Sequence, residues 1–179
     1  MFKRLEEPTI LFISILKWVV LATIIGIIVG MGTTLFLKLL NSSMALTGQY
    51  RYYFLSIPAA LFLSSILVRY LAPDAGGRGT EKVIEAVHKH SGNIKALVVP
   101  LKLVTTVLTI ASGGSAGKEG PCAQIGAGLS SIFANLFRFA EGDRKKLVIC
   151  GISAGFSSVF GTPIAGAIFG VLVSAHFSL

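Results

Sequence analysis

The chain has 179 residues, 53% of them hydrophobic and only 13% charged, with a formal net charge of +8 and a mean hydropathy of +0.78. A soluble domain of this length needs more charge to cover its surface, so composition excludes that class and points to a polytopic helical membrane protein. The positive balance does not indicate a nucleic-acid partner: the basic residues gather at Lys3-Arg4, 89–95 and 138–146, at the ends and gaps of apolar runs, with no basic stripe interleaved with aromatics.

The first apolar run, 10–40, is about thirty residues long, too long for a signal h-region of roughly 7–15 residues. No small-x-small cleavage site closes it, so it reads as a retained span. At about 1.5 Å per residue it exceeds a hydrocarbon core of roughly 30 Å, which predicts a strongly tilted helix. Lys17-Trp18 and Lys38 sit near its ends, where snorkelling lysines and an interfacial ring belong. Gly26 and Gly30 form a small-xxx-small pair suited to close helix packing. Residues 41–53 read as a polar connection, with a chance glycosylation sequon at Asn41-Ser42-Ser43, and 54–71 as a second span. Pro73-Asp-Ala-Gly-Gly-Arg-Gly-Thr80 then interrupts the apolar pattern. Residues 81–90 suit a short helix too polar to span. His88 and His90, at i and i+2, do not share a helix face and are not read as a metal pair.

Residues 94–110 form a third membrane segment carrying Lys102, and 121–139 a fourth. Two short pieces, 147–160 and 164–173, flank Gly161-Thr162-Pro163. The last four segments are short for a crossing of about 20 residues. Gly/Pro-interrupted apolar segments mark broken helices that meet near the bilayer midplane. Cys122 and Cys150, both in apolar segments, suggest neither a disulfide framework nor a metal site. Residues 1–179 therefore read as a single all-α transmembrane unit of tilted and broken helices.

The breaks at 76–80 and 113–121 carry the chemistry. A helix that starts inside a membrane exposes N–H groups with no intrahelical partner. Such backbone is tolerated at that depth only where protein or a polar cavity surrounds it. Its aligned dipoles place about half a positive charge at the helix start, which suits an anion. Pro121 sits just inside the second start, where its missing N–H costs nothing. Glu119 is a lone carboxylate between two apolar segments, and a charge at the bilayer centre costs roughly 2.5–3.5 kcal/mol, so it is a functional-site candidate by default. As an anion at a helix terminus, it can occupy the site in place of a transported anion. A phosphate loop is excluded, since Ser112 stands where its first glycine belongs and Glu119 where its Ser/Thr belongs. No nucleophile–base pair accompanies Glu119, which argues against an enzyme.

Gly117-Lys-Glu-Gly-Pro121, followed by Gln124-Ile125-Gly126, resembles the G-[KR]-E-G-P motif of the CLC family of chloride channels and proton-coupled chloride exchangers. Ser153-Ala-Gly-Phe and Phe160-Gly-Thr-Pro-Ile-Ala-Gly166 resemble its A-A-G-x-A-A-x-F-x-x-P-x-A-G segment. The 73–79 segment is similar to its P-E-x-x-G-S-G-I-P region, and Pro100 with Lys102 matches a family proline and lysine. The resemblance implies a multi-pass protein of the plasma membrane, embedded in lipid, with chloride or a similar anion as its transported ligand and no cofactor. It further implies a homodimer, one anion pathway per subunit, built from two inverted repeats, of which this chain matches the first. Glu119 takes the position of the gate. Gly77, Arg78, Gly79, Gly117, Lys118 and Gly120 fall where the family binds the anion.

The departures from the pattern are specific. Arg78 replaces the anion-contacting serine, with Thr80 and Glu81 after it; Arg78 either supplies positive charge or snorkels to the interface. Leu172 and Val173 stand where exchangers carry an acid, which argues against proton coupling. Lys102 and Lys118 either set a positive field for anions or, for Lys118, face an aqueous vestibule. The basic cluster of Arg138, Arg144, Lys145 and Lys146 predicts a cytoplasmic loop. The second repeat is expected to be absent, so the alternative reading is a truncated, non-transporting or assembly-only membrane piece.

Overall fold

The structure is a computed structural model describing residues 3–77 and 79–175; Arg78 and residues 176–179 lie outside the described residues, and with them the two readings of Arg78. The described residues form helices α1 (Lys3–Thr47), α2 (Ile57–Leu71, preceded by a 3₁₀ turn at Tyr53–Ser56), α3 (Gly79–Lys89), α4 (Val98–Ala111), α5 (Glu119–Leu136), α6 (Glu141–Phe160) and α7 (Pro163–Ala175), with no strand among them.

Helix α1 does not stop at Leu40. It continues through the stretch read as a polar connection, because 41–47 contains neither Gly nor Pro and Gly48 is the first breaker. Three of its threonines bond back to its own backbone: Thr23 donates to the Val19 carbonyl at 2.8 Å, Thr33 to the Val29 carbonyl at 2.8 Å and Thr47 to the Ser43 carbonyl at 2.9 Å. Leu11–Thr47 and Tyr53–Leu71 are both long and apolar enough to cross a membrane. Their large side chains, among them Val19, Ile27, Met31, Leu35, Leu61 and Phe62, remain exposed, as a lipid-facing surface requires.

Helix α5 is the centre. Residues 122–128 are buried on every face, the pattern of a helix enclosed by others. Helix α6 crosses it where small residues let backbones meet. A methyl added at Gly155 would strike the Cys122 carbonyl, and one at Gly126 would strike the Gly151 carbonyl. Gly166 and Gly170 bring α7 onto Ser157 and Ser153 of α6 in the same way. Ile25 and Val29 of α1 pack with Ala134 and Leu147 on the far side.

Helix boundaries follow local chemistry. Helix α6 starts at Glu141, ahead of the apolar run, with Glu141 and Asp143 in its first turn, where acids complement the dipole. Gly161, at φ +66°, closes it with a bond to the Ser157 carbonyl at 2.8 Å, and Pro163 opens α7. Helix α3 buries Val83, Ala86 and Val87 and turns Lys82, Glu85 and Lys89 outward. The hydrogen bond and charge of Lys82, then those of Lys89, hold the Glu85 carboxyl below its usual range. His88 turns toward the Val173 carbonyl of α7 at 3.3 Å, while His90 lines a separate cavity of about 420 Å³ beside Asp74 and Lys95.

Candidate functional site

Between α2 and α3 the chain makes a 3₁₀ turn at Pro73–Ala75, runs extended through Gly76 and takes φ +72° at Gly77, a value that favours glycine. Within this turn Ala75 is buried, so its carbonyl needs a donor. Lys102 of α4, only 9% exposed, supplies the donors: its Nζ donates to the Ala75 carbonyl at 2.9 Å and the Gly77 carbonyl at 3.5 Å. An ammonium carries three N–H groups, so one is left to face elsewhere. With the turn's carbonyls drawn to Lys102, Gly79 and Thr80 at the start of α3 line the space beyond it.

The second break is built differently. Helix α4 ends at Ala111, and Gly113, at φ +96°, turns the chain beneath the Tyr53 ring, 2.9 Å from where its Cβ would stand. Residues 114–118 carry the backbone to Lys118, which caps α5, and Glu119, Gly120 and Pro121 form the first turn. The two helix starts then meet. A methyl on Gly79 would strike the Gly120 carbonyl. Gln124 of α5 fixes the approach by donating from Nε2 to the Asp74 carbonyl at 3.0 Å.

This meeting point forms one wall of a cavity of about 580 Å³. Gly79 and Thr80 line it from α3, Gly120 and Pro121 from α5, and Gly76, Gly77 and Gly117 from the breaks. Lys102, Thr105, Thr106 and Thr109 of α4 and Ser64 of α2 complete it. Lys102, Gly77, Gly79, Gly117 and Gly120, picked out in the sequence, are thus brought together. Lys118 and Glu119 are exposed and are not among the lining residues. The Glu119 carboxylate folds back over its own loop, with Oε2 2.8 Å from where a Gly117 Cβ would sit. The hydroxyl wall of Ser64 and the three threonines was not picked out in the sequence, where isolated Ser and Thr in apolar helices look like ordinary packing.

The profile of the family described as voltage gated chloride channel matches residues 60–178. The chain belongs to the CLC family of voltage-gated chloride channels. It is 32% identical over 174 residues to a chloride/fluoride channel protein of Pseudomonas syringae pv. tomato, covering 97% of this chain and 38% of that protein. It is 34% identical over 124 residues to the H(+)/Cl(-) exchange transporter ClcA of Salmonella arizonae, covering 65% of this chain and 26% of that protein. The crystal structure of a CLC-type fluoride/proton antiporter superposes with a TM-score of 0.77 at 28% identity, covering 86% of this chain and 38% of that one. The all-helical CLC fold is therefore present, and the chain spans 38% or less of the length of these three relatives. By name these relatives are channels and transporters, not enzymes.

Proposed function

We propose that the protein moves halide anions across a lipid bilayer, binding them in the cavity between the α3 and α5 starts, with Glu119 as the gate. The observation that carries this reading is the convergence of two amide-rich helix ends on one cavity beside the buried Lys102 ammonium. Each end contributes about half a positive charge. In a low-dielectric surround, that field and the free N–H groups hold an anion without a full countercharge at every contact. Membership in the CLC family supports the same reading, as do relatives named for chloride, fluoride and proton-coupled exchange.

The roles follow from position. The backbone of Gly77, Gly79, Gly117 and Gly120 forms the cradle. Lys102 closes the turn before α3 and adds positive field. Lys118, exposed at the N-cap of α5, draws anions toward the helix end from the aqueous side. Glu119 belongs to that same helix end. A side-chain rotation carries its carboxylate from above Gly117 to the cavity mouth, where it competes with the halide. Protonation removes the competition.

The test is halide efflux from liposomes carrying the protein as purified from its native membrane, followed with chloride- and fluoride-selective electrodes across a range of pH. Wild-type protein should release halide. Glu119→Gln should change the rate and flatten its pH dependence. Unaltered rate and pH dependence would remove Glu119 from the gate, and absence of flux for either halide would remove the transport reading.

A further inference from the structure

The α4 wall of the cavity carries three threonines with different fates. Thr105 donates to the Leu101 carbonyl and Thr109 to the Thr105 carbonyl, both at 2.8 Å. Ser64 of α2 reaches the Thr105 carbonyl at 3.4 Å and the Thr109 hydroxyl at 3.2 Å. Bonding back to the preceding turn is the ordinary fate of a helical threonine. Thr106 departs from it. It is only 7% exposed, yet its hydroxyl has no hydrogen-bond partner among the described residues. It is also not sealed in, since Gln124 Oε1 is the buried unpaired side-chain atom there. What exposure Thr106 keeps opens on the cavity it lines with Lys102, Gly79 and Gly120.

A hydroxyl that opens on the cavity and bonds no neighbouring group takes its partner from what the cavity holds. The neighbours define that partner. Two helix starts and an ammonium face the same space, which suits a negatively charged acceptor and repels a cation. The nearest carboxylate in sequence, Glu119, is turned over Gly117 and does not line the wall. A monatomic halide, all acceptor and small, fits this donor set.

We infer that Thr106 is a ligand of the anion site, its hydroxyl donating to a halide held between the N-terminal amides of α3 and α5. This inference rests on the anion-carrying reading above. It supplies a side-chain donor from α4, whereas the sequence looked for one at position 78.

Sodium chloride and sodium fluoride are the probes, titrated calorimetrically into the purified protein and followed by electrode in liposomes. Thr106→Val removes the donor at nearly constant shape and should weaken halide binding about tenfold. Thr106→Ser should return affinity to within about twofold of wild type. Thr33→Val, which removes a buried α1 hydroxyl already bonded to its own helix and outside the cavity, should leave affinity unchanged. Thr106→Ala provides the same comparison if the valine variant does not fold. Halide binding by Thr106→Val equal to wild type overturns the inference while leaving the transport reading intact. An equal loss in Thr33→Val, or no recovery in Thr106→Ser, also overturns it. Wild-type protein that binds neither halide overturns both.

Discussion

Two glycines meet at the candidate site, and they are not equivalent. A Cβ built on Gly120 comes no closer than 3.6 Å to the Gly79 backbone, an ordinary contact. A Cβ built on Gly79 lands on the Gly120 carbonyl, 2.7 Å from its carbon, and 3.3 Å from Gln124 Oε1. Backbone cannot swing aside as a side-chain tip can, so a methyl there must push the α3 and α5 starts apart. Gly79→Ala should destabilise the protein by about 1–3 kcal/mol, the usual cost of overpacking, and weaken halide binding with it. Gly120→Ala should be neutral, or stabilising by up to about 1 kcal/mol as helix propensity allows. Thermal unfolding in detergent, followed by size-exclusion, separates the two. Equal melting temperatures for both variants would show that the helix ends are not in contact. The sequence marked both positions as backbone-critical but did not rank them, because the difference lies in which glycine faces the other's carbonyl.

At the scale of elements, what was legible was what glycine and proline write into the chain. The breaks before α3 and α5 and the junction of α6 with α7 were all visible at 76–80, 113–121 and 161–163, because those residues constrain the backbone wherever they stand. The end of α1 was not legible. Residues 41–43 are polar, which suggests a connection, yet no Gly or Pro stops the helix and it runs on through Met44, Ala45 and Leu46 to Thr47. The hydroxyl wall was hidden for another reason: Ser64 and Thr109 are 45 residues apart, and only the packing of α2 on α4 brings them together. Lys102 was visible as a charge in a span, but its work on a neighbouring element was not. Its ammonium pins the turn that aims α3. Lys102→Met keeps the stem and removes the donors. It leaves the Ala75 and Gly77 carbonyls short of partners, at a cost of about 1–3 kcal/mol, and loosens the start of α3. Faster hydrogen exchange at the amides of residues 79–81, with those of α5 unchanged, is the expected signature. Uniform exchange across both helices would instead make Lys102 a general stabiliser.

The whole molecule sorts its charges by side. The beginnings of α1 and α6 are joined by Lys17 and Asp143 at 3.5 Å, and Lys146 Nζ stands 4.7 Å from the Trp18 ring centroid, a cation–aromatic pairing typical of the interface. Arg144 reaches the Ser91 carbonyl at 2.8 Å, and Ser91 donates to Glu141 at 3.1 Å, so the α3–α4 connection lies on this same side. Asp74, after α2, pairs there with Lys95 at 3.0 Å. Along α1, Trp18 to Thr47 measures about 44 Å at 1.5 Å per residue, which matches a bilayer with its headgroups at roughly 40–45 Å. The far end carries Arg51 among the exposed Tyr50, Tyr52 and Tyr53. Most of the cations thus collect on the Trp18 side, and the positive-inside rule predicts that this side is cytoplasmic. Gly142 is a clean place to test this, since a Cβ there meets nothing within 4 Å. A membrane-impermeant thiol reagent should label Gly142→Cys only after the membrane is opened, and Gln49→Cys in intact cells. Native Cys122 is buried and Cys150 half-buried against α1, so both should stay unlabelled in either case. Labelling of Gly142→Cys from outside would invert the molecule, placing the basic face of α6 outside the cell and reversing the side from which Glu119 meets an incoming anion.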